Sequence, residues 1–331
     1  MITIDAEETR ARLPFDRLIP ALRDAFVAGA TTPLRHRHAL AEADATLLLM
    51  PAWQGIAAMG VKIVTVVPGN GARGLNAVSS TYLLCDGQTG RHLAVIDGNE
   101  LTARRTAAAS ALAGQYLARE DATRLLIVGS GHVARLLAAA WAAVRPIADV
   151  TVWNVRPEGA ARLVEALRAE GVAAATVTDL AAAVSRADIV SCATLATEPL
   201  IRGEWLRPGT HLDLIGGYLP TMREADDTAI RRARIYADTP AAWIEAGDLT
   251  QPLAAGTISP NDIVGTLEGL CRGTVTGRST AGEITLFKSV GSAIEDLAAA
   301  RLVFSADART TPSAEPIPPH RRRRRVRGSP A

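Results

Sequence analysis

The chain has 331 residues, 48% of them apolar, enough for two domains with buried cores and unlike the composition of a disordered protein. Its three cysteines, Cys85, Cys192 and Cys271, lie far apart, which argues against a disulfide framework or a cysteine-ligated zinc site and suits a reducing, cytoplasmic setting. Net charge is +2, but six arginines and one glutamate after Thr310 leave the preceding chain at −3; no secretory leader or bilayer-length apolar run is recognisable, so a soluble protein is expected.

A helical pattern covers Leu18 to Ala28 and is followed by a basic segment, Arg35-His36-Arg37-His38, that reads as a loop. Three β-type runs come next, Thr46 to Met50, Val61 to Val67 and Val78 to Leu84, separated by turn signals at Pro51, Pro68-Gly69 and Gly71. A further run, His92 to Ile96, turns at Asp97-Gly98 and leads to Thr102, a suitable N-cap for an alanine-rich helix ending near Ala118.

At Arg124 the pattern changes to alternating strands and helices, the signature of βαβ units and a parallel sheet. The strand-like run Arg124-Leu125-Leu126-Ile127-Val128 empties into Gly129-Ser130-Gly131-His132-Val133-Ala134 and then a long Ala/Leu helix. This is a dinucleotide-binding turn: Gly129 for the tight turn, Gly131 for backbone approach to a pyrophosphate, and a small residue for close packing, with the anion at the helix N-terminus. His132 is expected to line that turn rather than act as acid or base. The second strand, Val150 to Trp153, delivers Asn154 where ribose recognition is expected, with Arg156 beyond it. A carboxylate there would favour NAD; Asn154 and Arg156 favour NADPH with NADH possible, although Arg156 also reads as a solvated charge beside the helix-starting Pro157.

Further strands are expected at Val172 to Val177, Ile189 to Thr194, His211 to Ile215, Ile235 to Ala237 and Glu283 to Phe287, with a helix over Leu180 to Ala187 started by Asp179. Lys288-Ser289-Val290-Gly291 then enters an amphipathic helix containing Ile294 and Leu297, which should return to the first domain. The expected organisation is residues 1–119 plus 292–309 as an α+β substrate-binding and dimerisation domain, 120–291 as a doubly wound Rossmann domain of α/β class, and 310–331 as a disordered tail. The tail has almost nothing to bury. Its arginine run lacks aromatic interleaving, so nucleic acid is an unlikely partner.

Candidate chemistry begins with Lys62, placed by alternation on the same strand face as Val64, where a lysine is costly unless paired or functional; an edge-exposed, snorkelling lysine is the ordinary alternative. Arg105, in the first turn after Thr102, opposes the helix dipole and suits a carboxylate pocket, whereas Arg104 points elsewhere. Arg35 is either a site residue or part of a solvated basic loop. His36 and His38 lack accompanying acidic or cysteine ligands, so no metal is expected. There is no Gly-x-Ser-x-Gly elbow and no Ser/His/Asp set.

Four segments in order, Gly60-Val61-Lys62, Asp97 to Ala108, the Gly129 to Ala134 turn and Glu283 to Gly291, resemble the ornithine cyclodeaminase/mu-crystallin family. The resemblance implies a homodimer whose N-terminal sheets join into a shared barrel, with a Rossmann domain on each subunit and the active site between domains. It also implies that Arg35, Lys62 and Arg105 hold the substrate's carboxylate and amine region. Asn154, Thr194, the backbone from Leu212 to Ile215, and Ser289 would approach the cofactor, with Arg105 close by.

One departure separates branches of that family. Cyclodeaminases are similar to one another in a Gly-Gly-Asp-Cys-Pro-Gly-Lys segment, whereas this chain reads Gly216-Gly217-Tyr218-Leu219-Pro220-Thr221-Met222. A phenol with a reference pKa near ~10 is a poor substitute for the aspartate that manages protons in the lyase. The resemblance therefore implies an NAD(P)H-dependent imine reductase acting on a cyclic ketimine acid, Δ1-pyrroline-2-carboxylate or Δ1-piperideine-2-carboxylate, with Lys62 as the catalytic group. An alanine-type dehydrogenase and a non-catalytic, mu-crystallin-like binding protein are the alternatives.

Overall fold

The computed structural model describes residues 1–308, so the expected disordered tail and its arginine run lie outside the described residues. Two sheets organise the chain. The first contains β1 (Ile2–Ile4), β2 (His36–Leu40), β3 (Ala45–Gln54), β4 (Ala58–Val66), β5 (Val78–Cys85) and β6 (His92–Asp97). Their order is β1-β6-β5-β4-β3-β2, antiparallel except for the parallel pairing of β1 with β6.

The second sheet holds β7 (Arg124–Val128), β8 (Asp149–Trp153), β9 (Ala174–Thr176), β10 (Ile189–Cys192), β11 (His211–Leu214), β12 (Arg234–Ala237), β13 (Ile263–Thr266) and β14 (Thr285–Lys288). All its pairings are parallel, in the order β13-β12-β14-β11-β10-β7-β8-β9. The chain winds outward from β7 through β9, then restarts at β10 on the other side of β7. That reversal is a Rossmann switch point, where ligands bind at the carboxyl ends of the strands. The molecule is an α/β protein with a doubly wound Rossmann sheet. The last strand, β14, inserts between β11 and β12, so its end lies mid-edge before the chain leaves for the other sheet.

Two helices connect the halves. Helix Gly98–Leu117 packs against helices Phe15–Ala28 and His132–Ala142 and against β5 and β14, and most of it is buried. Helix Ala293–Ala308 packs on Phe15–Ala28, Gly98–Leu117, β3 and β4. Its residues from Ala293 to Ala300 are all buried, so it is not amphipathic there: it is enclosed by sheet on one side and helices on the other.

Several sequence expectations are corrected. The N-cap of the first connecting helix is Asp97, whose side chain accepts from Glu100 N at 2.7 Å, rather than Thr102, whose buried hydroxyl finds no partner. Capping starts immediately at the strand end because Asp supplies the acceptor three residues before an unsatisfied amide. Arg105 therefore lies beyond the first turn, and opposition to the helix dipole does not explain it. The basic segment is not a loop: His36–Leu40 pairs with β3 as an edge strand whose residues are all exposed, so no alternation marks it. β1 and β13 were not expected, being short and carrying weak patterning, whereas Asp179 caps its helix as the sequence suggests, accepting from Ala182 N at 3.0 Å.

Candidate active site

The glycine turn lies at the switch point. Gly129 has φ +112°, and a Cβ there would stand 2.5 Å from the Ala193 carbonyl oxygen, so the turn touches the loop after β10 and only glycine fits. Gly131 caps helix His132–Ala142 without any side-chain acceptor, and open space lies in front of it. The first-turn amides thus face a cradle suited to a pyrophosphate. Beside it a hollow of about 530 Å³ is lined by Asn154, Val155, Pro157, Thr176 and Thr178 among others. These features fit a dinucleotide.

Ser130 and His132 line a neighbouring hollow with Arg135 and Arg162, and Val133 packs half-buried against the core. His132 Nε2 stands 3.3 Å from Glu100 of the first connecting helix. Burial favours a neutral Glu100, but hydrogen bonds from His132 and Arg10 outweigh it and hold the carboxyl at about 2. The Asn154 amide donates to the Arg156 carbonyl at 2.9 Å, and the Arg156 side chain is exposed. Thr194 and Ile215 follow β10 and β11 at the same edge, and Ser289 follows β14. Leu212 does not reach that edge: it sits inside β11 between Val190 and Leu286.

The cationic residues converge from the other sheet. Lys62 points from β4 to the buried side, 2% exposed, and its Nζ donates to Asp296 Oδ1 at 3.0 Å. The same oxygen accepts from Arg105 Nε at 2.8 Å, and Arg105 Nη1 donates to Glu295 Oε2 at 2.9 Å. No hydrogen bond among the described residues uses Arg105 Nη2. Gly291, at φ +80°, closes over this guanidinium: a Cβ there would fall 2.6 Å from Arg105 Nη1. Asp238, after β12, accepts from the Val290 and Gly291 amides at 2.8 and 2.6 Å and fixes the same loop. Arg35 holds the same loop, donating to the Val290 and Gly291 carbonyls at 3.4 and 3.3 Å, and pairs with Glu245 at 3.2 Å.

The structure therefore brings Lys62 and Arg105 together on one carboxylate, with Arg35 on the adjoining Val290-Gly291 loop. Burial drives the Lys62 ammonium down to about 8, only partly offset by Asp296, while Arg105 adds to the lowering. Burial would also raise Asp296, yet Lys62 and Arg105 hold its carboxyl below the ordinary range. Glu295, buried with only Arg105 and Lys62 opposing, is pushed up to about 8.

Sequence reasoning missed Glu295, Asp296 and Asp238. A signal existed: two consecutive carboxylates inside an otherwise apolar helix entrance, Ala293-Ile294-Glu295-Asp296-Leu297, require buried partners. No group of His, Cys, Asp and Glu among the described residues could hold a metal ion, and no described helix is long and apolar enough to cross a membrane.

Residues 3–310 match the ornithine cyclodeaminase/mu-crystallin family. This chain belongs to that family. Among its relatives, a Delta(1)-pyrroline-2-carboxylate reductase of Paracoccus denitrificans is 41% identical over 81% of this chain and 89% of its own length. The solved Delta(1)-pyrroline-2-carboxylate reductase of Thermococcus litoralis, in complex with NADH and L-proline, superposes with a TM-score of 0.89 at 32% identity, covering 94% of this chain and 98% of that one. An archaeal alanine dehydrogenase dimer with bound NAD gives 0.87 at 29% identity, over 94% of this chain and 97% of its own.

Proposed function

We propose that this member of the family is an NAD(P)H-dependent oxidoreductase reducing a small cyclic ketimine acid, Δ1-pyrroline-2-carboxylate to L-proline and Δ1-piperideine-2-carboxylate to L-pipecolate. The observation that carries this reading is the junction of Lys62 and Arg105 on Asp296, beside the loop that ends β14 and on the same edge as the glycine turn. The two reductases compared above are named for Delta(1)-pyrroline-2-carboxylate, a five-membered ring.

The bound nicotinamide would supply hydride to the imine carbon. Arg105, held through Nε and Nη1, offers Nη2 to the substrate carboxylate, and Arg35 steadies the Gly291 loop beside it. Fixing the acid in this way orients the C=N group and converts a bimolecular encounter into a positioned one. The Lys62 ammonium donates to the ring nitrogen, so one proton joins nitrogen as one hydride joins carbon. Because burial leaves Lys62 titrating near 8, the ammonium is available at neutral pH and lost above it.

NADPH is the favoured reductant: neutral Asn154, rather than a carboxylate, directly follows the strand, and Arg156 is exposed beside it. Comparison of KM for NADPH and NADH tests this, with the lower value expected for NADPH. A homodimer is proposed because the outer face of the first sheet leaves large apolar side chains open, with Trp53 39% and Ile63 38% exposed. A cytoplasmic setting suits its three free cysteines.

The experiment is NADPH oxidation with each preformed imine and, separately, with pyruvate plus ammonia. Turnover is expected on the imines. Turnover on pyruvate alone would favour the alanine dehydrogenase reading that the second structural likeness raises, and cofactor binding without turnover would favour a binding protein.

A further inference from the structure

A buried carboxylate outside the cationic site connects two of the loops at the switch point. Glu224 is 0% exposed and lies on the segment that runs back beside the loop after β10, where its carbonyl accepts from Leu200 N and Ile201 N, both at 2.9 Å. Its Oε1 accepts from Thr194 N and from the Thr194 hydroxyl, both at 2.8 Å, and its Oε2 accepts from Gly216 N at 2.8 Å. One side chain thus pins the loop after β10 to the loop after β11. The clamp is itself anchored. Asp248 Oδ1 accepts from Glu224 N at 2.8 Å and from Ala225 N at 3.2 Å, and Asp248 Oδ2 stands 3.0 Å from the Nζ of Lys288, the residue before Ser289.

Burying this Glu–Asp–Lys set is costly, and helix or sheet formation does not require it. Its donors include backbone amides just after β10 and β11 and a lysine at the end of β14, three strand ends on the carboxyl edge that carries the switch point. Resting on the dinucleotide reading above, we propose that Glu224 is a positioning residue for the cofactor, setting the Thr194 and Gly216 loops against the nicotinamide half without itself touching it. Both oxygens are needed as acceptors. A glutamine would turn an N–H group toward Thr194 N or Gly216 N and open one side of the clamp.

The test is titration of the full-length protein with NADPH, followed by energy transfer from tryptophan to the reduced nicotinamide, with no imine present. Glu224→Gln is expected to weaken NADPH binding about tenfold, as loss of a charged hydrogen bond does. The KM for imine should change far less than the KM for NADPH. Should Glu224→Gln fail to fold, Thr194 decides: Thr194→Val, which deletes the hydroxyl donor, should weaken NADPH binding several-fold, and Thr194→Ser, which retains it, should restore it. Wild-type affinity in a folded Glu224→Gln protein, or equal affinities for Thr194→Val and Thr194→Ser, overturns the clamp while leaving the reductase reading intact. A wild-type protein that binds neither NADPH nor NADH overturns the reading beneath it as well.

Discussion

The two halves of the candidate site are built from different materials. On the Rossmann sheet the cradle is backbone: Gly129, Gly131 and the amides of one helix end, all within a few consecutive residues. On the first sheet and its returning helix the site is side chain: Lys62, Arg105, Glu295 and Asp296 come from three distant segments and meet only after folding. A backbone cradle follows from local geometry, so it tolerates change in most side chains but not at Gly129. A charge cluster depends on pairing, so every member alters the titration of the others.

The largest expected effect separates these halves. Lys62→Ala should lower kcat on the imine by about 10²–10³-fold, the usual worth of a proton donor, while NADPH binding measured by fluorescence stays near wild type. Loss of cofactor binding in that variant would show that the two halves are not separable. The converse is Gly129→Ala, which meets both an unfavourable φ and the Ala193 carbonyl; a cost of about 1–3 kcal/mol is expected, seen as weaker NADPH binding and a lower Tm.

Asp296→Asn sharpens the comparison through pH. The Asp296 carboxylate favours the charged form of Lys62, so its removal lets burial lower the ammonium further. The alkaline limb of the kcat/KM profile, expected near 8 for the wild type, should move toward acid. An unmoved or alkaline-shifted limb would assign that limb to another group. The smallest effect belongs to Asp97→Ala, which removes a helix cap and should cost about 1 kcal/mol in urea unfolding with kcat nearly unchanged.

The same contrast explains what the sequence disclosed. The Gly129 to Ala134 turn was legible because strand, glycine spacing and helix stand next to one another, and Asn154 followed at the expected distance. Lys62 was legible as an anomaly, a charge within a β-branched run, although its partner was not: Asp296 lies 234 residues away. Arg105 was singled out for the wrong local reason, since Asp97 rather than Thr102 begins its helix. Strand His36–Leu40 was hidden because an exposed edge strand carries basic residues on both faces. The placement of β14 between β11 and β12 is set by packing, and no local pattern encodes it.

The helix Gly98–Leu117 has a mechanical consequence. At its start it is capped from the first sheet by Asp97; midway, Ser110 donates to Asp213 of the second sheet at 3.0 Å; at its end the Leu117 carbonyl accepts from Thr285 at 2.8 Å. Twenty residues of α-helix make a rod about 30 Å long, and Arg105 rides on it. The two sheets thus share a beam, and the separation of Arg105 from the glycine turn is fixed along it when that beam folds.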